Sequence, residues 1–314
     1  MRIVIIGAGM SGLACAQALE QMGHEVALFD KGRGPGGRMS TRRVALDEAQ
    51  ISFDHGAQFF TAREEAFRAQ VEQWRKDGLV ACWPAARDDA WVGTPGMNAP
   101  IAHMASVHNA RFASHAMGLV REGADWRVLL HDGSRHGPYD AAVLALPAEQ
   151  AAAFLGTYDL TMAACAIAAR SQPCWTAMMA FAERLPIAAD VLRPSGPVGW
   201  AARNSAKPGR SATEAWVVQA SPAWSTEHLE DDAAQVAEFL ADWLAGQAGG
   251  APLPLPVRLH LSAHRWRYAV AQRSPKGALW NANLRLGACG DWLLGPRIEL
   301  AWLSGTKLAG LIGG

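Results

Sequence analysis

Gly7-Ala8-Gly9-Met10-Ser11-Gly12, with Asp30 downstream, is a spacing that can hold a dinucleotide. Gly7 permits a tight turn, Gly9 offers no side chain to obstruct a diphosphate, and Gly12 lets a helix lie close to a strand. A helix starting at Ser11 presents free N–H groups and the positive end of its dipole to phosphate, with Met10 in the turn before it. Asp30 can accept hydrogen bonds from ribose hydroxyls. A second glycine-rich stretch follows at once, DKGRGPGGRMST, from Asp30 and Lys31 through Gly37, Arg38 and Met39 to Thr41. Bare backbone and a guanidinium suit a second approach to phosphate and sugar; a solvated surface loop is the alternative. Further on, Gly56 and Ala57 leave room for a planar ring beside Gln58 and Phe59. Near the C-terminus, Gly290-Asp291 closes an apolar run, and Glu299-Leu300-Ala301 lies at the start of a helical pattern.

The elements needed to position these residues are legible. Ile3 to Ile6 is a continuous β-branched run, as in a parallel strand buried on both faces. A helical pattern runs from Ser11 to Met22, Gly23 ends it, and Val26 to Phe29 is a second strand. The fold class is therefore α/β with a Rossmann-like domain. Arg63 to Asp77 reads as a helix. Strands are expected at Thr176–Phe181, Ala215–Gln219 and Arg258–Arg267, with a helix from Asp231 to Gly246 carrying Val236, Phe239, Leu240, Trp243 and Leu244. The proline-rich tract at 251–257 reads as a rigid connector.

Composition narrows the function classes. Of 314 residues half are hydrophobic and 18% charged, and Lys+Arg and Asp+Glu both number 29. A neutral chain without basic runs gives no reason to expect a nucleic-acid partner. The five cysteines are scattered, odd in number and without a CxxC pair, so reduced thiols in a cytoplasm are expected and a zinc site is not. No histidine spacing suggests another metal. The start MRIVIIGAGMSGLACAQA resembles a secretory leader in outline, but its glycines fit strand–turn–helix better. No apolar run reaches the ~18 residues of a membrane span.

Together the two glycine stretches, the Gly56-Ala57 segment and the C-terminal Gly290-Asp291 resemble the flavin amine oxidase type of FAD fold, which is also that of glutathione reductase. The resemblance implies FAD as cofactor, touched by Gly7, Gly9, Met10, Ser11, Gly12, Asp30, Lys31, Gly37, Arg38, Met39, Gly56, Ala57, Gln58, Phe59, Gly290, Asp291, Glu299, Leu300 and Ala301. It implies that His115–Val120, with Met117, is the strand at the adenine, and that Val143–Pro147, with Ala145 and Pro147, is a cofactor-side strand end. The cofactor domain is then discontinuous, 1–62, 101–160 and 282–314, with an inserted mixed-sheet α+β substrate domain over 63–100 and 161–281. Within that superfamily the tracts GAQFFTAR, WVGTPGM, ARNSAKP, AHRWRYA and AWLSG resemble the bacterial renalases. That likeness implies an oxidase that converts NAD(P)H isomers reduced at the 2- or 6-position to β-NAD(P)+. Dioxygen is reduced to hydrogen peroxide, in metabolite repair. Two departures stand out: Glu299-Leu300-Ala301 where the family often has Glu-Gly-Ala, and Gln219 where it has histidine.

Such a reaction is a hydride transfer from a ring that becomes aromatic as it leaves. It requires positioning and exclusion of water rather than a strong base or a covalent nucleophile, and no catalytic acid or base is expected. The substrate half instead supplies aromatic area, including Trp200 and Trp266, with core packing as the alternative. In a strand, His264, Trp266 and Tyr268 share one face, and Arg265 and Arg267 the other. Pocket candidates are Gln58, Phe59, Trp200, Arg203, Gln219, His264, Trp266, Tyr268 and Glu299. Arg203, Lys207 or an arginine beside Trp266 could meet substrate phosphate. Competing readings are a flavin amine oxidase or other FAD dehydrogenase, and a non-catalytic dinucleotide sensor. None of the lysines stands in a tract resembling the amine oxidase active-site lysine.

Overall fold

A computed structural model describes residues 1–46, 49–249, 256–272 and 274–314; most of the proline-rich tract lies outside them. The strand Arg2–Ile6 pairs in parallel with Glu25–Phe29 on one side and Ala141–Leu144 on the other. Leu286–Ala288 extends the sheet in parallel, and Leu279–Asn281 closes it antiparallel. A strand with neighbours on both edges and cover on both faces has no polar side, which explains the unbroken Ile3–Ile6 run. Ile3 and Ile5 point into one core with the helices Met10–Gln21 and Ile298–Gly313. Val4 and Ile6 point into another, with the meander Ala116–Glu122, Asp125–Leu130, Arg135–Tyr139 and the helices Ala148–Leu155 and Leu160–Ala168.

The second large sheet has the order Val191–Leu192, Val198–Arg203, Glu214–Ala220, Ser171–Phe181, Arg258–Ala271. Its ladders are antiparallel throughout, and the mixed pairing lies in the first sheet. The helix Ala233–Gly246 starts on Asp232, whose carboxylate accepts from the N–H groups of Ala234 and Gln235. It lays Val236, Leu240 and Leu244 on one face of this sheet. Phe239, expected on that face, is instead exposed and stacks on Trp224 at 4.8 Å.

Two segments expected in the inserted unit pack elsewhere. The helix Glu65–Lys76 buries Phe67, Val71 and Trp74 in the core of the first sheet, with the pair Val80–Cys82 and Trp91–Gly93 beside it. Leu160–Ala168 packs on Ala148–Leu155, and its apolar face, Met162, Ala163 and Ala166, joins the other core of that sheet, with Val4 and Ile6. The hairpin Thr41–Leu46 and Ala49–Asp54 joins the two sheets, with Ile51 and Phe53 against Met178, Ala180, Ala215 and Val217.

Candidate active site

The first sheet delivers the chain to the helix Met10–Gln21 through Gly7–Gly9. A Cβ at Gly12 would stand 1.9 Å from the Gly7 carbonyl oxygen, so only glycine lets the helix start there. A Cβ at Gly9 would meet nothing within 4 Å: this position faces open space. The helix has no side-chain cap and no acid in its first turn, which leaves its N–H groups for an anion. Asp30 accepts from Ala8 N–H at 2.7 Å and Gly32 N–H at 2.6 Å through separate oxygens, fastening the two glycine stretches together. The second stretch then folds back, with the Cβ direction of Gly37 3.7 Å from Gly9 Cα. The Arg38 carbonyl accepts the Ala57 N–H at 2.8 Å, and its guanidinium makes a bidentate pair with Asp291 at 2.8 and 2.6 Å. Segments from both ends of the chain meet along one path.

These residues fit FAD. The open Gly9 cradle and uncapped helix suit the diphosphate, Asp30 suits a ribose, and the path past Arg38 and Ala57 suits the longer half of the cofactor. Met10, Ser11 and Met39 are buried beneath this path. Lys31 is exposed, as is the Met117 side chain on its strand. Ala145 N–H bonds the Ile6 carbonyl at 2.8 Å beside the Gly7 turn, and Pro147 opens the helix Ala148–Leu155. Gly290 donates to Ser304 Oγ at 2.9 Å, tying the Asp291 turn to the C-terminal helix; Leu300 leans toward Gly295 and Ala301 is buried in the first core.

The second sheet roofs this path. Its register places Trp200 opposite Gln219, Gln219 opposite Thr176, and Thr176 opposite His264. Directly opposed residues share a face, so these four form one row, on the face opposite the helix Ala233–Gly246. Gln219 Nε2 donates to the Gly56 carbonyl at 2.8 Å and Trp266 Nε1 to the His55 carbonyl at 2.8 Å, bolting the roof to the ring-side loop. Phe59 packs on Trp200 at one end of the row, with ring centroids 5.5 Å apart. At the other end His264 meets Trp266 at 4.5 Å and His55 at 5.0 Å. Tyr268 follows on the same strand, half-buried. Burial, His264 and Arg42 push His55 down to about 3, and burial and Arg42 push His264 down to about 4. Both imidazoles are neutral across the physiological range.

Several expected pocket residues are committed elsewhere. Arg203 lies on the far face of the roof, 1% exposed, and its guanidinium bonds Asp190, Glu214 and the carbonyls of Leu185 and Ile187, which commits its charge to two carboxylates away from the row. Arg265 and Arg267 share that far side and pair with Glu230. Glu299 is buried, and its Oε2 makes no hydrogen bond among the described residues. Its Oε1 accepts the N–H groups of Arg63 and Glu64 at 2.5 and 2.8 Å, ahead of the helix Glu65–Lys76, because those amides have no helical acceptor. The Gln58 side chain bonds the Asp54 and Gly56 carbonyls and Lys207, so only its backbone follows the ring-side path. Lys207 is buried against Asp54 at 3.2 Å, with Arg210 on the same carboxylate. Burial opposes charge on Asp54, yet the two cations hold its carboxyl down at about 2; burial lowers Lys207 to about 8 against the pull of Asp54. This junction was not legible beyond a single acid ending an apolar strand, ISFD, and the cations of ARNSAKPGR.

Residues 5–74 match the NAD(P)-binding Rossmann-like domain family. A 56-residue stretch is 43% identical to the 4,4'-diapophytoene desaturase (4,4'-diaponeurosporene-forming) of Staphylococcus aureus, covering 18% of this chain and 10% of that protein. Over 99% of the chain the fold is similar to three solved structures at 13% identity. They are an Exiguobacterium protein assigned as a protoporphyrinogen oxidase (TM-score 0.75, 98% of that chain), cyclohexylamine oxidase from Brevibacterium oxydans (0.71, 98%) and a variant of putrescine oxidase (0.70, 99%). The chain thus has a Rossmann-like dinucleotide-binding domain within an amine-oxidase type of fold.

Proposed function

We propose that this protein is an FAD-dependent oxidase of dihydro-nicotinamide dinucleotides, acting on the 2- or 6-dihydro isomers of β-NAD(P)H. The observation that carries the reading is the roof row Trp200–Gln219–Thr176–His264 lying over the Gly56-Ala57 path. It supplies flat aromatic area and a neutral imidazole at one end, and His55 and His264 hold no exchangeable charge near neutral pH. FAD, when bound, supplies the hydride acceptor and passes the electron pair to dioxygen. The overall balance is dihydro isomer, O2 and one proton giving β-NAD(P)+ and hydrogen peroxide.

The chain's part is to hold and to exclude. The uncapped helix and Asp30 bind the adenosine half, the Arg38–Asp291 pair and the Ala57 amide fix the course of the rest, and the aromatic ends of the row flank a planar ring. No residue here needs to take a proton from carbon, because loss of hydride alone makes the donor aromatic. The resemblance of the GAQFFTAR, ARNSAKP and AHRWRYA tracts to renalases names the substrate class. Product analysis tests it: equal amounts of peroxide and β-NAD+ formed from the 6-dihydro isomer support the reading, and peroxide formed only with amines overturns it.

A further inference from the structure

We propose that Arg42 holds His264 as a neutral Nε2–H donor, and that this donor receives the carboxamide oxygen of a nicotinamide ring beneath the roof. The ligand in this inference rests on the functional reading above.

The tautomer follows from donor and acceptor chemistry. Arg42 Nη2 lies 3.2 Å from His264 Nδ1. A guanidinium only donates, so Nδ1 must present its lone pair, and the proton of the neutral ring sits on Nε2. A second proton on Nδ1 would break that bond and place two cations in contact. The groups facing His264 give no opposing pull. The hairpin contributes Arg42, the ring-side loop His55, the neighbouring strand Thr176 and its own strand Trp266. His55 is itself neutral, and among the described residues Arg42 makes no salt bridge with a carboxylate.

Nε2 is left for a ligand. Among the described residues it makes no hydrogen bond, and it is not one of the buried polar atoms without a partner. The rest of the row is committed or hidden: the Gln219 amide bonds Gly56, Thr176 is fully buried, and Trp200 Nε1 is buried without a partner. A neutral donor suits this place. The ring becomes a cation as it loses hydride, and an imidazolium against it would oppose that charge. Arg42 stands across the imidazole from Nε2, so it fixes the tautomer from the side away from the ligand.

The test uses the flavin-loaded protein with 15N-labelled histidine, and His264→Asn to assign the His264 signals by NMR. The Nε2–H pattern is expected from pH 5.5 to 9. Nicotinamide should shift the Nε2 signal, and pyridine, which has no carbonyl, should not. Arg42→Met should release the ring, with mixed tautomers and a midpoint moved up toward that of free histidine; Arg42→Lys should retain the pattern. With the 6-dihydro isomer, His264→Phe should raise KM roughly tenfold, the size of one neutral hydrogen bond, with kcat less affected. An Nδ1–H tautomer in the parent, an unchanged tautomer in Arg42→Met, or equal shifts with nicotinamide and pyridine would overturn the inference. Failure to oxidise the isomers would sink the functional reading, while the nicotinamide titration still decides this one.

Discussion

Asp54 carries more of the junction than any other side chain. Its carboxylate, itself fully buried, meets Lys207 and Arg210 on one oxygen and Thr41 Oγ1 and Met97 N–H on the other. Asp54→Asn leaves two buried cations without a counter-charge, and urea unfolding should show a loss of about 3–5 kcal/mol. The neutral histidines set the acid limb. His55 and His264 sit well below the ordinary value of 6.5, so between pH 6.5 and about 4 the unfolded chain binds protons that the folded chain refuses. Stability is therefore full above pH 6.5 and falls as pH drops. Urea midpoints at pH 7, 6 and 5 should decline, and His264→Asn should make the decline shallower. At this scale the sequence misleads where a side chain's partner is remote. Arg203 and Lys207 read as free cations in a loop because Asp190, Glu214 and Asp54, which neutralise them, are separated from them in sequence.

The glycine loop separates binding from folding at the level of elements. A Cβ at Gly9 points into open space, whereas one at Gly12 collides with the Gly7 carbonyl. Gly9→Ala should leave the thermal midpoint of the flavin-free protein unchanged and weaken FAD binding at least tenfold by fluorescence titration. Gly12→Ala should lower the midpoint itself. Equal effects of the two on the flavin-free protein would contradict the assignment of Gly9 to the ligand side. The strand–turn–helix–strand unit was legible because each part leaves a local signal: a continuous apolar run, glycines at fixed offsets and an acid at a strand tip. The same holds for the strands expected at Thr176–Phe181, Ala215–Gln219 and Arg258–Arg267, which the structure extends to Ser171–Phe181, Glu214–Ala220 and Arg258–Ala271. Their register leaves no such signal, and it is the register that puts Trp200, Gln219, Thr176 and His264 in one row.

For the whole molecule, glycine segments at both ends of the chain raise the expectation of one discontinuous unit, and the first sheet does take its strands from Arg2–Ile6, Glu25–Phe29, Ala141–Leu144, Leu279–Asn281 and Leu286–Ala288. The helix Glu65–Lys76 lies between two tracts of different character, yet Phe67 packs on Trp302 at 5.6 Å, and Glu299 caps its start. Long-range pairing of this kind decides which core a segment joins, and it is set by surfaces that exist only after folding. The same convergence underlies the proposed activity: Gly9, Arg38, Ala57 and Asp291 lie along one path, and the roof row stands over it. The most direct test mixes the flavin-loaded protein, without oxygen, with 6-dihydro-NAD, with β-NADH and with a panel of amines while the visible flavin absorbance is followed. Rapid bleaching by the 6-dihydro isomer alone is the predicted result. A protein that takes up no flavin, or one bleached by amines and untouched by the isomer, would contradict it.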